Sequence, residues 1–340
     1  MHTVFDWQID LILRLRELLP GLVGVFEVFT FLGNELFFLM LLPFVYWAID
    51  RRTGARLTVL VLVSTYINAA VKFLVGWPRP FVYAPERLGP LFALPMAETI
   101  DRYGATGFGF PSNHTQGAVV TWGFLAVALM LEARRDAPAA GGAPPGQRNE
   151  IAESGAPALG LLRPVFLALC GLLIVLVPLS RVYLAVHFPH DLLGGYLLGT
   201  ALLAVFLWLG PPVERWLAHA SLGAQLAVAA AVPAVVLLAY PGEDAVTAGA
   251  TLLGMGLGFI AERRHIRFRT AGPVVQRAVR FAVGIVGMVA LYAGLKAAFA
   301  TLEPALVWRF VRYTLMGLWG GVGAPWLFTQ VGLASRTEGR

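Results

Sequence analysis

Cysteine, charge and polar surface are all in short supply in this chain. Its 340 residues include one cysteine, Cys170, set inside an apolar run. An intrachain disulfide is therefore impossible, and no cysteine-built zinc site can form. Charged residues make up 14% of the chain and hydrophobic residues 58%, whereas soluble domains carry about a quarter charged and about half apolar. The mean hydropathy is +0.71, and the apolar residues come in long blocks. That organisation excludes one large water-soluble core and indicates a polytopic membrane protein. Acids are fewer than bases, 20 against 26, which leaves a net charge of +6. In so apolar a chain, arginines that set membrane topology account for the excess, and no nucleic-acid partner is expected. The N-terminal stretch MHTVFDWQIDLILRLRELLPG lacks a basic region followed by a cleavable apolar core, so a removed signal peptide is not expected. No repeat of fixed period is visible.

Residues 1–31 read as an amphipathic region at the membrane interface. Phe5, Ile9, Ile12, Leu13 and Leu18 recur at three- and four-residue steps among Arg14, Arg16 and Glu17, which suits a helix lying in the headgroup layer. The part from 18 to 31 fits a further span, a re-entrant piece or a continuation of that helix. Spans are predicted near 33–49, 57–75, 113–131, 161–179, 191–209, 222–240, 245–261, 279–299 and 305–327. Arg51, Arg52 and Arg56, then Arg134, Arg135, Arg148 and Arg163, then Arg215, then Arg263, Arg264, Arg267 and Arg269 fall in alternate connections. The positive-inside rule makes that side cytoplasmic, with the N-terminus outside and the C-terminus inside. The Ala-, Gly- and Pro-rich segment within 133–160 reads as a flexible cytoplasmic linker. The expected fold is an all-α polytopic bundle: a core over 32–210, then about four additional helices over 211–340.

Three polar clusters break the apolar pattern. KFLVGWPRP carries Lys72 and Arg79 at the outer end of the second span, and PSNH carries Ser112, Asn113 and His114 at the outer start of the third. SRVYLAVHFPHD carries Arg181, His187 and Asp191 between the fourth and fifth. The arginine-based topology brings all three clusters to one face, which suggests a single site. Lys72, Arg79 and Arg181 are fixed cations and Ser112 is a donor; convergent cations and helix N-termini bind phosphate. A neutral imidazole can attack phosphorus and a second can protonate the departing alkoxide, so His187 and His114 fit a nucleophile and a proton donor. Pro189 marks the first turn of the fifth span, which places Asp191 where it can accept a proton from His187.

In order and spacing, these clusters resemble the three signatures of the type-2 phosphatidic acid phosphatase superfamily, integral membrane lipid phosphatases related to glucose-6-phosphatase and, more remotely, to vanadium haloperoxidases. The likeness covers roughly residues 25 to 205. It implies a six-helix core with the site at its extracytoplasmic end. It further implies His187 as the nucleophile that becomes phosphorylated, Asp191 as its orienting partner and His114 as general acid and then base. Lys72, Arg79, Ser112 and Arg181 would hold the phosphate, with no metal and no cofactor. The family commonly has glycine where Asn113 stands. Asparagine tolerates left-handed backbone angles, so the turn can survive, and the alternative is an amide that bonds the phosphate.

Several residues read more plainly. His190 reads as a surface histidine, with tuning of the neighbouring Asp191 as the alternative, Tyr183 and Trp77 as interfacial aromatics, and Glu262 as a paired or snorkelling charge. The run ERRHIRFR reads as a topology anchor. Asn68 fits either a cavity lining or an interhelical hydrogen bond. The expected function is hydrolysis of a lipid phosphate or diphosphate delivered from the outer leaflet. Candidates are polyprenyl diphosphates such as undecaprenyl diphosphate, phosphatidylglycerophosphate, phosphatidate and sphingoid phosphates. The third cluster is also similar to that of sphingosine-phosphate and glucose-6-phosphate phosphatases. A phosphotransferase using a lipid or sugar acceptor and a non-catalytic lipid-phosphate binder or transporter are the alternatives. The expected setting is a bacterial inner membrane with the site facing the periplasm or exterior, and a homodimer is compatible with it.

Overall fold

A computed structural model describes residues 4–92, 95–136, 156–239 and 242–336. Fifteen α-helices run through it in order, with no strand among the described residues beyond one isolated bridge between Phe268 and Arg336. They are α1 (Asp6–Leu18), α2 (Val23–Phe31), α3 (Glu35–Phe44), α4 (Arg51–Val75), α5 (Pro80–Tyr83), α6 (Pro85–Leu88), α7 (Met96–Arg102), α8 (Asn113–Asp136), α9 (Ala156–Tyr183), α10 (Pro189–His219), α11 (Leu222–Ala239), α12 (Glu243–Ala261), α13 (Val274–Ala298), α14 (Ala305–Leu318) and α15 (Ala324–Gln330). The chain is an all-α, polytopic, integral membrane protein.

Six helices among the described residues are long and apolar enough to cross a membrane, in the segments Arg51–Tyr83, Asn113–Glu132, Leu162–Tyr183, Pro189–His219, Ala245–Ile266 and Val274–Ala298. Helix α2 and the segment Glu35–Ile49, bent by 49° at a short break, form a further apolar pair with the shape of a broken span or a re-entrant loop. The predicted span at 33–49 is thus the second half of a broken element, and the uncertain region before it supplies the first half. Helix α11, Leu222–Ala239, occupies the predicted span at 222–240. The last span is divided into α14, a π-turn at Trp319–Gly323 and α15, and α14 carries Arg309 and Arg312. Apolar side chains such as Leu197, Trp208, Val286 and Val289 face outward from the long helices, as lipid contact requires. Most of the expected linker lies outside the described residues, and α8 and α9 extend into its two ends.

At the site end, α8 packs against α4, α9 and α10. Close approach to α10 is possible because Gly194, Gly195 and Gly199 share one face: a Cβ on Gly195 would lie 2.7 Å from Thr115 Cβ and 2.8 Å from the Ser112 carbonyl oxygen. Small residues at such positions let two helix backbones meet. The connection between α4 and α8 folds down as α5 to α7 and buries Phe81, Leu88 and Tyr103. Helix α1 docks there, with Ile9 and Ile12 buried beside Leu88, Val182 and Phe188 while Trp7, Leu11 and Leu18 stay exposed. Arg87 and Arg102, two basic residues on the side expected to be outside, pair with Asp10 at 2.6 Å and Glu27 at 3.0 Å.

At the opposite end, a π-turn at Val45–Ile49 meets two others at Glu262–Ile266 and Trp319–Gly323. Tyr46, Trp47, Ile266, Phe268, Met288, Met316 and Phe328 form one buried cluster there. Glu262 is buried and accepts from Arg51 at 2.7 Å and from the Phe268 N–H at 3.0 Å. The run 262–269 therefore contributes core residues as well as surface arginines, which a topology anchor alone would not do.

Candidate active site

Helix α4 ends because Gly76 takes φ of 65°, a left-handed C-cap whose N–H bonds the Lys72 carbonyl at 2.9 Å, a conformation that favours glycine. Pro78 and Pro80 prevent the helix from resuming, and Pro80 instead opens α5. The extended stretch between them turns Arg79 inward. Its Nε donates to Gly107 O at 3.1 Å, Nη2 to Thr106 O at 2.8 Å and Nη1 to Val186 O at 2.9 Å; Nη1 also lies 3.0 Å from His187 Nε2. One turn back on α4, Lys72 donates to Phe108 O at 3.2 Å.

Ser112 stands just before α8. Its N–H bonds the Asp191 carbonyl at 3.0 Å, and its Oγ accepts from Thr115 N–H at 3.4 Å. Asn113 is the first residue of that helix. The expected left-handed turn does not occur there, since Ala185 and Arg267 are the non-glycine residues with positive φ among those described. The helix starts with ordinary backbone angles, so no glycine-like freedom is needed.

The third cluster follows the end of α9. Ala185, at φ 57°, reverses the chain, and both Val186 and His187 donate their N–H groups to the Arg181 carbonyl. Phe188 is extended and Pro189 opens α10. Asp191, one turn in, accepts the Phe188 N–H through Oδ2 at 2.9 Å, and the same oxygen lies 3.0 Å from His187 Nδ1. A carboxylate is acceptor-only, so Nδ1 carries the proton and Nε2 holds the lone pair. Burial, and then the Arg79 charge, hold the His187 imidazole well below its ordinary pKa against the opposing pull of Asp191. It is therefore neutral at pH 7.

Arg79, Ser112, His114, Arg181, His187 and Asp191 are all buried, while Lys72 and Asn113 are partly so. Arg181, His187, Lys72 and Arg79 all lie within electrostatic range of His114. Arg181 donates through Nη1 to Thr30 Oγ1 and through Nη2 to Tyr103 O at 2.8 Å, and its Nε has no hydrogen-bond partner among the described residues. Neither buried guanidinium bonds a carboxylate among those residues. Uncompensated buried cations are costly, so the centre they surround favours an anion. No group of three or more His, Cys, Asp or Glu side chains suited to a metal ion occurs among the described residues.

Sequence reasoning passed over Thr30 and Asn34 and read other neighbours only in part. Thr30 and Asn34 come from the α2–α3 break, where Asn34 Oδ1 lies 2.8 Å from His114 Nε2. A Gly-Asn-Glu string ahead of an apolar run is a recognisable helix start, but nothing local ties it to a residue 80 positions away. His190 is not a surface histidine: Nε2 lies 3.1 Å from Asp191 Oδ1, and Nδ1 lies 2.9 Å from Gln8 Oε1 on α1. Tyr183 is buried rather than interfacial, stacked on Phe26 with its hydroxyl donating to Leu19 O at 2.7 Å. Asn68 makes an interhelical bond, donating to Gln116 Oε1 at 2.8 Å. In turn the Gln116 amide donates to Ser64.

Fold and site together define an integral membrane protein that gathers cations and imidazoles at one end of a helical bundle. The chain belongs to the PAP2 superfamily, whose family model matches residues 53–215; the model of the PAP2 superfamily phosphatase transmembrane extension matches 246–336. It is 26% identical over 230 residues to glucose-6-phosphatase catalytic subunit 1 of Haplochromis nubilus, covering 65% of this chain and 57% of that one. Against sphingosine-1-phosphate phosphatase 2 of Mus musculus it is 26% identical, covering 53% and 40%. Against lipid phosphate phosphatase delta of Arabidopsis thaliana it is 21% identical, covering 62% and 44%. The chain thus spans about half the length of these curated relatives. No solved structure matches it.

Proposed function

We propose that this chain is a membrane phosphatase that hydrolyses the phosphomonoester of an amphiphilic alcohol through a phosphohistidine on His187. The observation that carries this reading is the pair of buried guanidinium groups, Arg79 and Arg181, without a carboxylate hydrogen-bond partner among the described residues, beside an imidazole aligned by Asp191. A phosphoryl group brings the missing negative charge, and its oxygens would take the Arg79 donor that now rests on His187 Nε2. The Nε2 lone pair then attacks phosphorus as the ester P–O bond breaks. His114 gives a proton to the departing oxygen and next takes one from water, whose oxygen attacks the phosphohistidine and releases inorganic phosphate. Positioning and charge stabilisation supply most of the rate.

Support for a lipid rather than a sugar comes from two adjoining cavities of about 270 and 260 Å³ beside the third cluster. Leu13, Val23, Leu91, Phe92 and Leu184 give them apolar wall and Arg16, Glu17, Glu27 and Arg102 charged wall, a combination suited to an amphiphile. A site opening to the extracytoplasmic face of a bacterial inner membrane fits the distribution of arginines. The test is release of inorganic phosphate by purified protein in detergent from a panel of sphingoid phosphate, phosphatidate, polyprenyl diphosphate and glucose 6-phosphate. Lipid monoesters should be turned over best, at the same rate in excess chelator. His187→Ala should lose at least about a thousandfold while remaining folded. Undiminished release by that variant overturns the phosphohistidine.

A further inference from the structure

The break between α2 and α3 places Gly33 and Asn34 against His114, and what Asn34 does there is unexpected for its position. Asn34 is the N-cap of α3: its backbone is extended and its carbonyl accepts the Phe38 N–H. Asparagine at an N-cap normally turns its side chain onto the first free N–H groups of its own helix. Here it makes no such bond, and its Oδ1 lies 2.8 Å from His114 Nε2. Gly33 completes the contact, because a Cβ at that position would lie 2.5 Å from His114 Cδ2. The edge of the ring bearing Cδ2 and Nε2 is therefore held on two sides by adjacent backbone positions. Thr30, one turn earlier, is the partner of Arg181, so one broken element supports both a cation and an imidazole of the site.

We propose that Asn34 is a positioning residue for proton transfer by His114; this rests on the phosphatase reading above. Its amide oxygen accepts the Nε2 proton in both charge states of the ring. That leaves Nδ1 as the nitrogen that exchanges a proton with the substrate oxygen. As the P–O bond breaks, its electron pair stays on the alkoxide oxygen, which takes the Nδ1 proton from the imidazolium, and the ring becomes neutral with Nε2–H still on Asn34. Without the acceptor the ring rotates and the proton is offered in the wrong direction. The cost then depends on how much the leaving group needs a proton. An alkoxide from a long-chain alcohol needs one, and a nitrophenolate does not.

The experiment compares a long-chain alkyl phosphate with para-nitrophenyl phosphate, using the full chain in detergent. Asn34→Ala should slow single-turnover release of the alcohol from the alkyl ester about 10- to 100-fold, whereas single-turnover release of para-nitrophenolate, which precedes water attack on the phosphohistidine, should fall less than about threefold. Asn34→Asp, which restores an acceptor oxygen at the same reach, should recover most of the alkyl ester rate. His114→Ala supplies the benchmark: it should show the same selective loss in that first step and should slow release of inorganic phosphate from both substrates, because it also removes the base for water. If Asn34→Ala does not fold, Asn34→Leu, of similar volume and without an acceptor, carries the comparison. Equal losses on both substrates, or no loss on either, overturn the assignment. Wild-type protein that releases phosphate from neither substrate sinks the phosphatase reading instead, so the two failures are distinguishable.

Discussion

His187 shows how one side chain takes its chemistry from neighbours that are distant in sequence. Asp191, four residues on, fixes the proton to Nδ1, and Arg79, from the other side of a long connection, faces Nε2. Burial and the Arg79 charge both disfavour the imidazolium, so the group titrates below its ordinary pKa. The sign for activity follows directly. A protonated ring cannot attack, so the rate falls on acidification only as the pH passes through that lowered value. The acid limb of kcat/KM, which reports the free enzyme, should therefore lie below the ordinary imidazole pKa of about 6.5. In Arg79→Gln one of the depressing influences is gone, with burial and the Lys72 charge remaining, and the limb should shift to higher pH while the maximal rate drops. A pH–rate profile of both proteins decides this, and an unchanged limb in the variant would show that Arg79 does not act on the nucleophile.

Among the elements, the contact between α8 and α10 matters most to the site, because Ser112 and His114 open one helix and Asp191 opens the other. The backbones touch there directly: Ser112 N–H bonds the Asp191 carbonyl at 3.0 Å. Gly195 permits that approach. Gly195→Val places carbon within the volume of Thr115 and the Ser112 carbonyl, and overpacking of this kind costs about 1–3 kcal/mol. The expected outcome is a lower thermal unfolding midpoint in detergent together with weaker phosphate release, because moving α10 also moves Asp191. Leu197→Val, on the lipid-facing surface and 74% exposed, should leave both unchanged. A stable and fully active Gly195→Val would show that the helices need not be this close.

At the scale of the whole molecule, the family core and its transmembrane extension are joined at the end away from the site. Trp47 belongs to the π-turn after α3, and its indole N–H donates to Gly320 O at 2.9 Å. Tyr46 does the same to Gly321 O at 3.1 Å. Arg280, fully buried in α13, donates to the carbonyls of Trp47, Thr270, Ala271 and Leu333. The core element so gripped is α3, whose opposite end carries Asn34 and thus reaches His114. Trp47→Ala removes a fully buried indole and should cost about 3–5 kcal/mol. The measurement is the thermal unfolding midpoint alongside limited proteolysis, with cleavage expected to rise in the extension. A variant as stable and as protease-resistant as the parent would mean that the two parts are held elsewhere.

Much of this protein is legible from residue order alone. Long apolar blocks state that helices must cross a bilayer, because a backbone in hydrocarbon has to bond within its own segment. Glycines and prolines mark where those helices stop and start, as at Gly76 and Pro189. Short-range geometry even places Asp191 beside His187, since residues four apart at a helix start face one another. Tertiary structure alone decided the rest. It bent the α2–α3 pair at Gly33–Asn34, brought Asn34 to a histidine 80 positions later and turned His190 inward onto Asp191 and Gln8. It also clustered three π-turns into one core. The physical reason is that periodicity and capping are local properties of a chain, whereas which polar atom meets which across helices depends on where packing halts their approach.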